Sequence, residues 1–334
     1  MSKQNLKIVL LAGGASSERQ VSKQSSKGIY DALTELGYDT SVVDPALGLH
    51  QPKDVTSLFE PDDGFGLDGR NYPEILQLPQ VQQADVAFLG LHGKYGEDGK
   101  MQALLELAGI RYTGSGVMSC SVAMNKDKAK SLFKDHGIVV PEGFMIQKGA
   151  FTYNEVVQRI EDELGYPVII KPNDEGSTIG LSIVHSLDEL PAALEESFKY
   201  SRDTLVERFI PGREMTIGVL DGKALPAIEI IPKHELYDYE CKYTPGMSAY
   251  VVPAQIPEFL SKSLARQALI AYNALECRGY ARVDFRVSAD NRHYCLELNP
   301  LPGMTGTSLI PKAASAIGLS YKEVVESIVR AALR

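Results

Sequence analysis

Strand–helix alternation in the first third, followed by strands arriving in pairs, predicts a chain of α/β and α+β units. Three observations carry this. Short apolar runs end in glycine turns and lead into helix-spaced apolar residues, as in run 7–12, Gly13-Gly14, then Ile29, Leu33 and Leu36. Further on, single helices separate pairs of strands, the pattern of an α+β sandwich. The length of 334 residues exceeds one ordinary domain. The expected units are 1–118, with a parallel sheet, then 119–210 and 211–334.

In order, strand 7–12 feeds the glycine turn, the next helix stops at Gly37, and 38–44 is a second strand. Residues 45–79 carry Gly, Pro and Asp without periodicity and are expected to form a surface excursion outside any catalytic cleft. Strand 85–91 and a helix around Met101, Leu104, Leu105 and Ala108, stopped by Gly109, complete the first sheet. The second unit has helix 126–136, strand 143–146, helix 154–164, strands 167–171 and 181–185, helix 187–200 and strand 204–209. In the third, Asp221-Gly222 between 216–220 and 224–228 signals a hairpin, because both turn residues tolerate positive φ. Helix 257–277, strands 281–287 and 293–298, and two closing helices follow. The last presents Val324, Val325, Ile328 and Val329 on one face.

Composition excludes several classes. The 34 Lys and Arg against 43 Asp and Glu leave a net charge of -9. That argues against nucleic acid or a membrane surface as partner, since each needs a large basic patch. No run approaches the ~20 apolar residues of a membrane span, and the early apolar run is too short for a signal-peptide core. The 4 cysteines, with no C-x-x-C, signal neither zinc nor a disulfide framework. A soluble protein of a reducing, cytoplasmic compartment is expected.

Five segments carry residues able to do chemistry. Lys171-Pro172-Asn173-Asp174-Glu175-Gly176-Ser177-Thr178-Ile179-Gly180 brings a strand-end lysine into a small-residue loop. Such a loop either cradles phosphate with backbone N–H groups or simply connects two strands. It is not a Walker loop, because Gly-Lys-Ser/Thr is missing. Ala281-Arg282-Val283-Asp284-Phe285 and Cys295-Leu296-Glu297-Leu298-Asn299 put acids at alternate positions of two successive strands. Their oxygens suit Mg²⁺, or else a solvated strand face. The Pro/Gly-rich sequel Asn299-Pro300-Leu301-Pro302-Gly303-Met304-Thr305 favours a ligand-lining strand end. Gly13-Gly14-Ala15-Ser16-Ser17-Glu18-Arg19 fails the dinucleotide fingerprint and either meets a ligand or caps the next helix. Leu91-His92-Gly93-Lys94-Tyr95-Gly96-Glu97-Asp98-Gly99 offers a loop histidine, and Glu207 and Glu214 flank a strand-turn where they bind ribose hydroxyls or face water.

In order and spacing these segments resemble the D-alanine–D-alanine ligases of the ATP-grasp superfamily, over nearly the whole chain apart from 45–79. The resemblance implies a three-domain ATP-grasp architecture with ATP held between the central and C-terminal domains. It implies ATP-dependent joining of two D-alanines through an acyl phosphate for peptidoglycan precursors, with Mg²⁺ (or Mn²⁺) as cofactor and a homodimer as the assembly. Carried over by motif, Glu18 and Ser177 support the first D-alanine and the mobile loop, and His92 stands beside the substrates. Lys126, Lys171 and Lys242 hold phosphates, and Glu207 and Glu214 take adenine and ribose. Tyr243 on the lid joins Ser177 and Glu18. Arg282 and the Gly303 backbone stabilise the oxyanion. Asp284, Glu297 and Asn299 match the magnesium ligands, and Ser308 with Leu309 the second D-alanine subsite.

Three positions depart from the commonest family pattern: Asn125 for Asp, Pro300 for Thr, and Gly306-Thr307 for a Ser-His type pair. The last borders the second-substrate subsite, so a D-Ala–D-Ser or D-Ala–D-lactate type ligase stays open beside the leading expectation. Tyr243, rather than Phe, resembles ligases that favour an amine over lactate. From another class, a non-catalytic nucleotide-binding sensor would keep the fold without needing both the lysines and the acids.

Overall fold

The computed structural model describes residues 6–62, 67–244 and 246–334, with Tyr243 described for its backbone alone. The chain begins with β1 (Lys7–Leu11), α1 (Arg19–Glu35) and β2 (Asp39–Val43). Three 3-10 stretches follow (Pro45–Leu47, Val55–Leu58, Gly69–Gln77), then the single turn α2 (Pro79–Gln82), β3 (Val86–Leu89) and α3 (Lys100–Leu107). The strands form a parallel sheet of order β2-β1-β3, with Leu11 level with both Val43 and Leu89. Their carboxyl ends therefore deliver the Gly13-Gly14 turn, Asp44 and the Gly90–His92 loop to one edge, the usual ligand edge of an open α/β sheet. Gly13 (φ +76) is required there, because an added Cβ would lie 2.4 Å from an Asp44 oxygen.

Residues 45–79 do more than decorate the surface. No described residue among them lines either cleft cavity. Yet Asp62 pairs with Arg19 and Lys23, each at 2.6 Å, and the Tyr72 hydroxyl accepts the Ala15 N–H at 3.0 Å. The excursion braces the loop that carries Glu18.

Helices α4 (Val117–Met124) and α5 (Lys126–Asp135) lead to a second, antiparallel sheet. It comprises β4 (Gly143–Gln147), β5 (Val168–Pro172), β6 (Ser182–Val184) and β7 (Asp203–Arg208) in the order β4-β7-β5-β6. Helix α6 (Tyr153–Arg159), which continues as a π-type turn over Ile160–Leu164, and α7 (Leu190–Tyr200) lie between its strands in sequence. Thr152 and Glu155 close a capping box on α6. Asn125 caps α5 by accepting the Lys128 N–H at 3.1 Å.

The third sheet holds β8 (Arg213–Leu220), β9 (Lys223–Ala224), β10 (Ile228–Pro232), β11 (Ser248–Val251), β12 (Tyr280–Val287) and β13 (His293–Asn299). Its order is β11-β10-β8-β12-β13, with β9 also on β8. The Asp221-Gly222 hairpin forms, with φ of 51 and 72, but its return strand stops after Ala224. Pro226 lacks the N–H a ladder needs, and pairing with β8 resumes at Ile228. The segment expected to form a lid folds in part as α8 (Tyr239–Tyr243), and α9 (Glu258–Ala274), α10 (Leu309–Ser315) and α11 (Tyr321–Ala332) complete the chain. Among the described residues no helix is long and apolar enough to cross a membrane.

The three sheets each fall within one expected unit, whereas the helices cross between them. Ala129 and Phe133 of α5 share a core with Leu260 and Leu264 of α9 and with Ile217, Val283 and Phe285 of the third sheet. The face Val324, Val325, Ile328 and Val329 of α11 joins Ile8, Leu10, Ile29 and Leu33 of the first unit. Helices α5 and α9 thus cover one face of the third sheet, while Ile310 of α10 packs beside Gly218 on the other, the face that also carries Arg282 and Asp284.

Candidate active site

Along β12, Ala281, Val283, Phe285 and Val287 enter the core, so Arg282, Asp284 and Arg286 share the opposite face. Asp284 stands opposite Glu297 and Arg282 opposite Asn299, but Phe285 pairs with Cys295, leaving Leu296 as a bulge. The extra residue resets the alternation of β13, so Cys295 and Leu298 point inward while Glu297 and Asn299 turn to the cleft. Arg282 forks onto Asp284, with Nε 2.9 Å from Oδ1 and Nη2 2.8 Å from Oδ2, and the Thr216 hydroxyl donates to Asp284 at 2.6 Å. The guanidinium is held firmly charged: burial opposes this, and Asp284 outweighs it. Asn299 Oδ1 accepts the Leu301 N–H at 3.0 Å, fixing the exit of the strand.

Two cavities lie against this face, of about 110 and 450 Å³. The smaller is walled by Ile169, Phe209 and Leu296 and contains Lys171, Glu207, Glu214 and Asp284. Glu207 is buried between two lysines, with Lys171 Nζ 2.7 Å from Oε2 and Lys130 bonded to Oε1. Burial would raise the Glu207 pKa, but the two ammonium groups hold it below the ordinary range. Burial pushes Lys130 down to about 8, despite its acid partner. Glu214 faces Arg286 Nη1 at 3.4 Å. Burial, joined by Asp284 and Glu297, raises it to about 7 against the pull of Arg286.

The larger cavity is lined by Glu18, His92, Arg282, Asn299, Gly303 and Ser308, among others. Glu18 begins α1 without capping it through its side chain; its carboxylate instead accepts from the Ser177 hydroxyl. Ser177 and Thr178 sit at φ 51 and 64, a conformation costing non-glycine residues roughly 1–2 kcal/mol each. Side-chain bonds hold them: Ser177 to Glu18, and Thr178 Oγ1 donating to the Tyr237 carbonyl at 3.0 Å while accepting Lys242 Nζ at 2.9 Å. His92 is buried between Glu97 (3.2 Å) and Ser25 (3.1 Å). Burial favours its neutral form, but the Glu97 and Glu18 charges outweigh this and raise its pKa. Ser308 Oγ accepts the Thr305 N–H at 2.9 Å, and Leu309 begins α10 beside it.

The cavities share Lys126, Ser177, Lys242 and Glu297. Lys126 Nζ donates to the Glu175 carbonyl at 2.5 Å and lies 3.7 Å from Glu297. Burial alone would raise Glu297, yet Lys126, Lys171, Lys242 and Arg282 drive it down to about 2. A carboxylate surrounded by four cations, with an acid across the strand, is chemically able to take further anionic charge or a hard cation.

Fifteen of the sixteen residues selected from the sequence line one or both cavities. The side chain of Tyr243, expected to join Ser177 and Glu18, lies outside the described residues. Sequence reasoning missed Lys130, although it follows Lys126 by one helical turn on the same face. It also missed Ser25, Thr178 and Tyr237, whose roles depend on contacts across long loops. His234, Asp238 and Cys241 bring three ligand-type atoms within 4.8 Å of one another. Both Asp238 oxygens are already engaged, by the Cys241 N–H at 2.9 Å and His234 at 2.7 Å, which makes this a helix cap.

Comparison with known proteins agrees with this geometry. Residues 7–115 match the D-ala D-ala ligase N-terminus family and 132–330 the D-ala D-ala ligase C-terminus family. A D-alanine–D-alanine ligase of Syntrophotalea carbinolica is 44% identical over 98% of this chain and 97% of its own length. One from Geobacter sulfurreducens is 43% identical, over 96% and 92% respectively. A crystal structure of the Bacillus anthracis D-alanine–D-alanine ligase superposes with a TM-score of 0.79, 32% identity and 98% coverage of both chains. The VanG D-Ala:D-Ser ligase of Enterococcus faecalis gives 0.83 at 29% identity, covering 98% of this chain and 99% of its own. With both family segments matched and relatives above 40% identity along nearly the full length, the chain belongs to the D-alanine–D-alanine ligase family.

Proposed function

We propose that this chain joins two D-alanines at the expense of ATP, forming D-alanyl-D-alanine for peptidoglycan precursors through an acyl phosphate. The observation that carries the reading is the shared wall. A small cavity with a lysine-clamped glutamate and a larger one with the Glu18–Ser177 pair meet at Lys126, Lys242 and Glu297. A phosphoryl group held at that wall passes from one side to the other with little movement.

In this reading the apolar walls at Ile169, Phe209 and Leu296 take adenine, Glu207 its exocyclic amine, and Glu214 the ribose. Lys126, Lys171 and Lys242 neutralise phosphate oxygens. Asp284, Glu297 and Asn299, two carboxylates and an amide on one strand face, fit a hard divalent cation and would hold Mg²⁺ or Mn²⁺. The bound ion supplies charge neutralisation on the transferring phosphate. A carboxylate oxygen of the first D-alanine bonds to the γ-phosphorus as the bond to ADP breaks. The second amine then forms the C–N bond and loses a proton, and inorganic phosphate leaves. Arg282 and the Gly303 N–H face the oxyanion formed in between. Glu18, Ser177 and His92 hold the first D-alanine, and Ser308 and Leu309 border the second. The lid segment with Lys242 and Tyr243 keeps water from the acyl phosphate. Division into 1–118, 119–210 and 211–334, a cytoplasmic location and a homodimer complete the proposal.

Backbone shape does not select the second substrate, since ligases named for D-Ala and for D-Ser superpose at 0.79 and 0.83. The Gly306-Thr307 departure keeps D-serine as the second reading. The test is ADP release with product identification by mass, using D-alanine alone and then with D-serine or D-lactate. D-alanyl-D-alanine matched to ADP supports the proposal. ATP binding without D-alanine-dependent turnover would replace it with the sensor reading.

A further inference from the structure

The Gly303 loop is held from its far side by residues outside the cleft machinery. Met304, directly after Gly303, is buried, and both of its backbone groups are tied down. Its N–H donates to Ser25 Oγ on α1 at 3.3 Å, and its carbonyl accepts the Tyr321 hydroxyl of α11 at 2.5 Å. Ser25 is buried and also meets His92 Nε2 at 3.1 Å, so one hydroxyl ties the histidine loop to the oxyanion loop.

Gly28 supplies an independent observation. It lies one turn after Ser25, inside a 17-residue helix, where glycine costs roughly 1 kcal/mol relative to alanine. An added Cβ would stand 3.1 Å from Tyr321 Oη and 3.8 Å from the Met304 carbonyl. The bare backbone at Gly28 leaves the phenol room between α1 and Met304, and a methyl group there would make it give by a few tenths of an ångström.

We infer that Ser25, Gly28 and Tyr321 are positioning residues that clamp Met304 and thereby aim the Gly303 N–H at the oxyanion of the second step. This rests on the reading of Gly303 given above and adds residues that never touch substrate. The clamp serves C–N bond formation, in which the amine displaces phosphate and loses its proton; transfer of phosphate from ATP to the first carboxylate does not use it. Loosening it therefore slows the second step and spares the first.

The experiment compares wild type with Tyr321→Phe rather than Ser25→Ala, which would also release His92 on the first-substrate side. Tyr321→Phe keeps the ring and so guards against a folding artefact. Misplacing one oxyanion donor is expected to lower kcat about 10- to 100-fold, with ATP affinity and thermal midpoint little changed. Because only the second step slows, rapid-quench traces should show a burst of ADP before slow turnover. Gly28→Ala, which pushes the phenol away, should behave in the same direction. A kcat within twofold of wild type, or a slow rate with no ADP burst, overturns the clamp. Absence of D-alanine-dependent ADP in the wild type would instead remove the ligase reading, so the two failures are distinguishable.

Discussion

The smaller cavity takes most of its charged side chains from strands, whereas the larger, proposed to admit the amino acids, takes several of its key residues from loops. On the first side Lys171, Glu207, Glu214 and Asp284 all stand on strands of antiparallel sheets, and their ionic partners are already in place. On the second, Glu18, His92 and Gly303 come from three loops, joined by contacts that span 159 residues (Ser177 to Glu18) and 279 (Met304 to Ser25). The strand-built side is preorganised by register, and a charge removed there leaves its partner buried. The loop-built side is organised by a few hydrogen bonds between distant segments, each of which can be removed singly. Phosphate chemistry suits the first arrangement, because fixed charges stabilise a transferring phosphoryl group without reorganising. Admission of two small amino acids suits the second.

The largest effect expected of this contrast is at the junction. Glu297→Gln removes the carboxylate that four cations surround and that stands opposite Asp284. Turnover should fall about 10²- to 10³-fold, the scale of ~3–4 kcal/mol of lost transition-state charge stabilisation, while far-UV circular dichroism stays that of a folded chain. Near wild-type turnover at saturating Mg²⁺ would show that Glu297 holds no metal.

Lys130→Met tests the strand-built side alone. Loss of one partner of a buried ion pair costs about 3–5 kcal/mol, and Lys171 remains to offset part of it. KM for ATP should rise about 10- to 100-fold, with KM for D-alanine nearly unchanged. Equal rises in both constants would mean that the two cavities are not separately built.

A double-mutant cycle of Glu18→Gln and Ser177→Ala tests the loop-built side. A hydrogen bond to a charged group contributes ~1.5–3 kcal/mol, so kcat/KM for D-alanine should show a coupling of that size. KM for ATP should not. Additive effects would remove the bond between the Glu18 loop and the glycine-rich loop from the account.

How far the sequence foretold all this depends on the distance over which each feature is set. The acids of β12 and β13 were legible because strand side chains alternate, and the evidence for the first sheet was its apolar runs 7–12 and 85–91, each meeting a glycine turn. The bulge at Leu296, which aims Glu297, has no local signature. Gly28 reads as a helix defect until Tyr321, almost three hundred residues later, is seen against it. Residues 45–79 have no periodicity because they pack by individual contacts such as Asp62 with Arg19 and Tyr72 with Ala15. The missing pattern gave no sign of these contacts with the loop that carries Glu18, although the segment stays off the cavity walls among its described residues. Lys130 was within reach, one helical turn from Lys126, but its acid partner lies 77 residues away.

The smallest expected effect is a pH dependence confined to the strand-built side. Glu214, raised to about 7 chiefly by burial, is mostly protonated at pH 6 and mostly ionised at pH 8. A carboxylate accepts a ribose hydroxyl more strongly than a carboxylic acid does, by ~1 kcal/mol. Nucleotide affinity should therefore rise with pH across this interval, by about 3- to 10-fold. Phosphate groups also titrate near pH 6, so adenosine is the probe, free of that complication, and its Kd is followed by calorimetry from pH 6 to 8. Glu214→Gln cannot ionise and should bind adenosine with a flat profile, weaker than wild type at pH 8 and close to it at pH 6. A wild-type profile as flat as the variant's would place the ribose contact elsewhere. The same slope in both proteins would assign the titration to another group, and Lys130, pushed down to about 8 by burial beside Glu207, would then be the residue to substitute next.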